Sequence, residues 1–338
     1  MLCFRAPRRA QWPADAKACE ESNVQAQTTQ ADRSGPVLIT GANGNLGRCL
    51  IRRAFEVSSG PRPVRVVVRS ERARQSLADI ANLDVVVLDY SDSEALAQAA
   101  EGCDSVVHLV GIIKEGSTSS YEAAHEATCT ALADAAAKAD VRRIVYLSIL
   151  GSQPDADNAC LASKGRAERI LLEGPTPTLV LRVPMVLAPG DYASTALRGQ
   201  ARSRIVPLLR GGSGREQPID ANDVVKAILH GLDLPGAGNL ALDLAGPESL
   251  SRRELLERCA ALYDNHPLVL PVPAFLLNAF AHLLEMLTAN PPLTRAMVGV
   301  LDHDDDIDPG TACEQLGLSL TPLDETLAKC VGPETRNP

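Results

Sequence analysis

Aromatic residues are scarce in this chain: four Phe, one Trp and five Tyr make up 3% of 338 residues. Its core must therefore rest on Leu, Val, Ile and Ala. A basic excess is also missing. Lys and Arg number 33 against 42 Asp and Glu, for a net charge of −9, which excludes nonspecific nucleic-acid binding because that needs a basic face. No uninterrupted apolar run reaches the roughly 18 residues of a spanning helix. The nearest segment, Pro273 to Thr288, is interrupted by Asn278, His282 and Glu285. The nine cysteines include no Cys-x-x-Cys pair, and most, such as Cys49, Cys103, Cys129 and Cys259, stand in apolar or helical contexts. They read as small buried residues in a reducing compartment; neither a disulfide framework nor a metal site is expected.

Residues 1–35 differ from the rest. Met1 to Pro13 carries Arg5, Arg8 and Arg9 with no acid, and Ala14 to Gly35 is polar and without period. A long apolar h-region is lacking, which argues against a secretory signal. The segment reads as a disordered tail, with mitochondrial targeting by residues 1–13 and an overextended start as the alternatives. The expected location is the cytoplasm, with peripheral attachment to the inner membrane as a further possibility.

What the chain does have is Val37-Leu-Ile-Thr-Gly-Ala-Asn-Gly-Asn-Leu-Gly47. A short apolar strand runs into three glycines spaced G-x-x-G-x-x-G, and a helical stretch follows. Gly41 suits the tight turn, Gly44 the close approach of backbone to a pyrophosphate, and Gly47 the packing of helix on strand. Asn43, Asn45 and Leu46 share this loop, whose helix N-terminus favours an anion. The strand–helix rhythm then repeats: strands over 64–69, 85–89, 105–109, 144–148 and 178–182 alternate with helices over 71–81, 93–100, 121–139 and 162–173. Six such units predict an α/β, doubly wound parallel sheet over residues 36–185. Beyond Pro184 the rhythm breaks. Residues 186–335 read as a smaller, mostly helical substrate-side lobe, with 220–245 a candidate to return to the main sheet. Asp223 is expected to cap one helix, and Ser251 with Glu254 forms a capping box.

The ordered set of motifs resembles the extended and atypical short-chain dehydrogenase/reductase superfamily, which includes epimerase/dehydratase-like members. The motifs are Thr40–Gly47, His108-Leu-Val-Gly-Ile-Ile113, Leu147-Ser-Ile-Leu-Gly151, Leu181–Asp191 and Arg215–Val224. They look closest to the atypical branch containing the NADPH-binding accessory subunit of respiratory complex I. The resemblance implies a dinucleotide site built from Gly41, Asn43, Gly44, Asn45, Leu46, Gly47, Arg69, Ser70, Asp89, Tyr90, Leu109, Val110, Gly111, Ser148, Lys164 and Pro184. An acid at the end of the second strand would select NAD(H). This chain has Arg69-Ser70 there, with Arg72 and Arg74 beyond, which suits the 2′-phosphate of NADP(H); a solvated basic helix start is the plainer alternative. Asp89 is either an adenine contact supported by Tyr90 or a helix cap. His108 reads as structural.

The chain also departs from the family. The family's Tyr-x-x-x-Lys is Cys160-Leu-Ala-Ser-Lys164 here, so the cofactor-positioning lysine is kept and the tyrosine is replaced by a cysteine, whose thiol is either a catalytic proton donor or nucleophile or, the favoured reading, buried and inert. The partner hydroxyl falls at Ile149, with Ser148 before it as a weak catalytic candidate. Tyr146, Tyr121 and Tyr192 are possible substitutes, but none has the expected spacing to a lysine. In the loop after the sixth strand Arg182, Pro189, Gly190 and Asp191 are kept, while Val183 and Ala188 replace Pro and Gly. Arg215 and Gln217 are either substrate-side polar groups or a solvated loop. For 274–288, core packing is the default reading, and docking on a membrane or a respiratory-complex partner the alternative. Three functions stay open: a non-standard reductase or isomerase acting on an unidentified small molecule; a cofactor-holding subunit of a respiratory or quinone-related (ubiquinone) complex; and, less favoured, a sugar-nucleotide epimerase or dehydratase.

Overall fold

Continuous β-branched runs build the central sheet because both of its faces are covered. The computed structural model describes residues 35–333 apart from 56–61, 82, 237, 289–290, 292 and 302. The tail expected at the N-terminus therefore lies, up to residue 34, outside the described residues. From Val37 the chain forms β1 (Val37–Thr40), α1 (Asn45–Phe55), β2 (Val64–Val68), α2 (Glu71–Gln75), β3 (Asp84–Val87), α3 (Ser93–Ala100) and β4 (Ser105–His108). A π-helix, Glu122–Ala127, runs into α4 (Thr128–Lys138), followed by β5 (Arg143–Ile149), α5 (Ala159–Glu173) and β6 (Thr178–Val183). Next come β7 (Val186–Leu187), α6 (Tyr192–Arg202), β8 (Ile205–Leu209), β9 (Arg215–Glu216), β10 (Ile219–Asp220), α7 (Ala221–Asp233) and β11 (Leu240–Asp243). The chain ends through β12 (Leu250–Ser251), α8 (Arg252–Ala261), β13 (Leu268–Val272), α9 (Ala274–Leu287), α10 (Arg295–Leu301), α11 (Gly310–Leu316) and α12 (Leu323–Cys330).

The main sheet has seven strands in the order β11-β6-β5-β4-β1-β2-β3, all parallel. This is a doubly wound Rossmann sheet, and the order reverses between β1 and β4, where such folds hold their ligands. One face packs Leu50 and Ile51 of α1 and Val224 and Ile228 of α7 against Ile39, Val66, Leu179 and Leu181. The other packs Leu96, Leu132 and Leu171 against Leu38, Val106, Ile144 and Tyr146. Within residues 220–245, α7 packs on the sheet and β11 pairs with β6. Three two-stranded pairs, β7/β10, β8/β13 and β9/β12, join the remaining helices.

Several boundaries differ from the sequence reading. The helix expected over 71–81 ends at Gln75; Leu77, Ala78 and Ile80 donate to carbonyls three residues back, which makes tighter turns. Asp220, not Asp223, caps α7. Asp223 is buried in the first turn, where it accepts from Thr321 and Lys226. Asn158 caps α5 three residues earlier than expected, which places Cys160 in its first turn.

Two histidines are buried as neutral rings. His108 lies with Nδ1 2.7 Å from Thr40 Oγ1 and Nε2 3.5 Å from Thr128 Oγ1, which bears out its structural reading. Burial, aided by the charge of Lys164, pushes its pKa down to about 3, and His125 of the π-helix goes down to about 3 for the same reasons. In the unfolded chain both titrate near the ordinary value of about 6.5. Between the two values the unfolded chain binds protons that the folded one refuses, so stability falls as pH drops, by about 1.4 kcal/mol per pH unit for each histidine. Urea unfolding between about pH 7 and about pH 5 should show this slope, and His108→Gln should reduce it. An unchanged slope in the variant would contradict the assignment.

Candidate functional site

The glycine loop sits at the carboxyl end of β1, beside the loop that leaves β4. Gly41 has φ +74°, and a Cβ there would lie 2.9 Å from the carbonyl carbon of Leu109 and 3.0 Å from Val110 N. Gly41 thus allows the two loops to touch. A Cβ at Gly47 would lie 2.5 Å from Ala42 O, so this glycine serves close packing. Gly44 is different: a Cβ there meets only Gly41 O, at an ordinary 3.5 Å. Asn43, Gly44 and Asn45 are exposed, Leu46 is half-buried, and the N–H groups of Asn45 and Leu46 have no acceptor among the described residues. An open glycine face with free N–H groups at the start of an 11-residue helix fits a pyrophosphate.

Tyr90 holds this loop from beneath. Its hydroxyl accepts from Gly41 N at 3.1 Å and donates to Val67 O at 3.1 Å. Asp89 is exposed and accepts from Ser91 N and Oγ, a turn contact that keeps its carboxyl below the usual range; Asp92 is the residue that caps α3. Arg69 is exposed and has no hydrogen-bond or ion-pair partner among the described residues. Ser70 Oγ caps α2 by accepting from Ala73 N at 3.2 Å.

On the other side of the β4 loop, Lys164 of α5 is buried. Its Nζ donates to Leu147 O at 3.1 Å and stands 4.6 Å above the Tyr146 ring. Burial holds its pKa below the ordinary lysine value. Gly111 makes room for it: a Cβ there would lie 3.0 Å from Lys164 Nζ and 3.5 Å from His125 Nε2. His125 Nε2 in turn lies 3.0 Å from Ile112 N, and its Nδ1 has no partner among the described residues. His125, which the sequence reading passed over, belongs to this cluster; its spacing of four from Tyr121 was the available signal.

Cys160 is buried with Sγ 3.6 Å from Ile112 O, and burial pushes its thiol up to about 11. Tyr121 shares this place. Its hydroxyl donates to Ile113 O at 3.0 Å and interacts with the Cys160 thiol, and its ring stacks on His125 at 5.7 Å. Spacing to the lysine along the sequence had argued against Tyr121, yet the fold brings it to Cys160. Tyr146 is buried in the core and Tyr192 is exposed on α6. A cavity of about 930 Å³ opens beside Tyr121, with Glu115, Asp157, Asn158, Glu285 and Arg295 among its walls.

Other candidates are occupied structurally. Ser148 donates to Glu168, which takes two bonds from Arg182 at 2.9 and 2.7 Å, and Arg182 also reaches Asp243. Ser148 is therefore tied beneath the site. Leu109 and Val110 line the Gly41 contact, and Pro184 is buried after β6. Asp191 caps α6 and accepts from Ala188 N, with Gly190 at φ +76° completing the turn. Gln217 is buried and bonds Gly246 and Ile307, while Arg215 bonds Ser249. Gln217 is no solvated loop residue, Arg215 lies in β9 with its side chain part-exposed, and neither is among the residues that line the cavity.

Residues 41–190 match the family of NAD(P)H-binding domains. The chain is 28% identical over 243 residues to a ceramide reductase of Caulobacter vibrioides, covering 72% of this chain and 75% of that one. It is 22% identical over 275 residues to the 40 kDa subunit of mitochondrial NADH-ubiquinone oxidoreductase of Neurospora crassa, covering 80% and 72%. Among solved structures, a triphenylmethane reductase of Citrobacter has a TM-score of 0.68 at 20% identity, covering 88% of this chain and 99% of that one. MoeE5 in complex with UDP-glucuronic acid and NAD has a TM-score of 0.66 at 21% identity, covering 88% and 98%. The fold, glycine loop and relatives together define a Rossmann-type NAD(P)-binding protein. More particularly, the chain is similar to short-chain dehydrogenase/reductase relatives of this kind and fits an atypical member of that superfamily.

The two glycines should separate binding from folding. Gly44→Val should abolish NADPH binding and leave stability within about 1 kcal/mol of the parent. Gly47→Val should destabilise by about 1–3 kcal/mol through overlap with Ala42. Fluorescence titration with NADPH and urea unfolding check both; a folded Gly44→Val that binds normally would confine that glycine to a turn role.

Proposed function

We propose that the protein is an NADP(H)-dependent reductase of a carbonyl carried by a neutral or cationic, apolar-chained molecule. The observation that carries this reading is the cavity beside Tyr121. Its described walls hold three carboxylates, Glu115, Asp157 and Glu285, and one cation, Arg295, whose N and Nε are bonded to Glu285 at 2.8 and 2.9 Å. A nucleoside diphosphate would meet like charge there, which argues against the sugar-nucleotide chemistry. The helix that supplies Glu285, α9, leaves Phe275, Phe280, Leu283, Met286 and Leu287 half or more exposed. Core packing therefore does not explain this segment. An apolar chain could lie along it with its head in the cavity, and the likeness to a ceramide reductase supports such a substrate.

In this reading the loop from Gly41 to Gly47 holds the pyrophosphate, Arg69 the 2′-phosphate and Lys164 the nicotinamide ribose. The nucleotide supplies the hydride when bound. No helix among the described residues is long and apolar enough to cross a membrane, so α9 would meet a lipid surface from one side, with the protein peripheral to it. A second reading has a specific basis. The replaced tyrosine, the apolar α9 face and the likeness to respiratory-complex subunits also suit a cofactor-holding subunit.

NADPH deuterated at C4 of the dihydronicotinamide should pass deuterium to a long-chain 3-keto amide but not to a UDP-4-keto sugar. Bound nucleotide with no transfer to any carbonyl would favour the subunit. For cofactor choice, Arg69→Ala should weaken NADPH about tenfold, the worth of one charge-assisted contact, and leave NADH nearly untouched. Equal losses in calorimetric titrations with the two nucleotides would remove Arg69 from the 2′-phosphate.

A further inference from the structure

Cys160 leaves the site without a proton donor on α5, and the fold places a phenol beside it from a different element. We infer that Tyr121, at the entry to the π-helix, is the catalytic acid that gives its proton to the substrate carbonyl oxygen. The inference rests on the reductase reading above. Four observations carry it. Tyr121 lines the cavity, which puts it at the wall a substrate carbonyl would meet. Its hydroxyl is next to the thiol that occupies the position four residues before Lys164. Its ring stacks on His125, which with Lys164 flanks the missing Cβ of Gly111. Glu115 Oε1 accepts from Tyr121 N at 2.7 Å and fixes the loop that carries it.

Tyr121 enters the π-helix that carries His125. Tyr121 and His125 are four apart and so share one side of the segment, and single π-turns of this kind recur at functional sites. Cys160 is the weaker donor on geometry. Its sulfur is fully buried against Ile112 O and does not line the cavity, whereas Tyr121, although mostly buried and donating its hydroxyl to Ile113 O, is one of the cavity's lining residues, so a substrate carbonyl would replace Ile113 O as the acceptor. Burial raises the phenol's pKa above its ordinary value, with Cys160, Glu115 and Glu285 adding to the effect. The group is therefore fully protonated through neutral pH, and it remains a stronger acid than the alcohol it would form.

The step balances. As hydride and its electron pair reach the carbonyl carbon, the C=O π pair moves to oxygen. The Tyr121 O–H bond breaks, a new O–H bond forms on the substrate, and the phenolate regains a proton from solvent in the cavity. The products are the alcohol and the oxidised nucleotide.

The test uses the full chain, Tyr121→Phe and Cys160→Ala, with C4-deuterated NADPH and a long-chain 3-keto amide. Tyr121→Phe should lower kcat by at least about 100-fold, the usual range for loss of a general acid, with NADPH affinity within about twofold of the parent. Cys160→Ala should keep most of the turnover. A second readout is independent of turnover: the alcohol product should bind the NADP⁺-loaded Tyr121→Phe protein about five- to tenfold more weakly, for loss of one hydrogen bond. A Tyr121→Phe protein that turns over within about threefold of the parent would overturn the role of Tyr121 and leave the reductase reading standing. Loss of turnover in Cys160→Ala alone would assign the proton to the thiol. A parent protein that binds NADPH and transfers no deuterium would overturn the reductase reading and this inference with it.

Discussion

The site is arranged around a buried ammonium whose fixed partners are a carbonyl and a ring face, with the Glu168 carboxylate acting on it only through its field. Lys164 Nζ is held by one carbonyl, Leu147 O, and by the face of Tyr146. No salt bridge to Lys164 occurs among the described residues. A charge held this way is costly unless something compensates it. Neighbouring groups register its field: it helps keep His108 and His125 neutral and lowers the otherwise raised thiol pKa of Cys160. Gly111 leaves space where a side chain would press on it. Such an ammonium retains donors for a ligand, and the hydroxyls of a nicotinamide ribose are suitable acceptors. The strands, the β4 loop and the first turns of α5 together keep it in place.

The remaining chemistry is distributed around that charge. The glycine loop and β4 loop meet where the sheet order reverses, and their contact depends on Gly41 having no side chain. On the far side, the loop from Gly111 to Tyr121 closes over α5. The buried Ser148 and Glu168, with the part-exposed Arg182, tie β5, α5 and β6 together beneath the site. This explains why a serine at the end of the fifth strand is unavailable to a ligand. The substrate side is built from elements remote in sequence, since Asn158 reaches Ala296 O and Arg295 reaches Glu285. The cavity is thus acidic and borders an apolar helix.

Local features were legible in the sequence. The strand–glycine–helix order identified the loop because each glycine answers a backbone requirement within a few residues. The β-branched runs identified the sheet because both faces are buried. What could not be read were contacts that only the tertiary fold creates. Ser148, Glu168 and Arg182 lie on three separate elements, and strand pairing alone brings them together. Tyr121 was set aside on its spacing to a lysine, but that rule holds within one helix and says nothing of a residue approaching from another loop. The π-helix escaped notice because a one-residue change of register leaves the composition of an Ala-rich segment unchanged. The apolar run at 274–287 was visible, but hydropathy does not say whether a face is covered; Ala281 is its buried residue, and Phe275, Leu276, Phe280, Leu283, Met286 and Leu287 are exposed.

The central claim is that the Gly41–Gly47 loop and Lys164 together hold one NAD(P)H molecule, with the nicotinamide at the Tyr121 cavity. A crystal structure of the protein with NADPH tests it most directly. The account predicts the pyrophosphate at the N–H groups of Asn45 and Leu46, a ribose hydroxyl on Lys164 Nζ, and the nicotinamide ring facing Tyr121. A nucleotide seated elsewhere, or a ribose out of hydrogen-bond reach of Lys164, would contradict it.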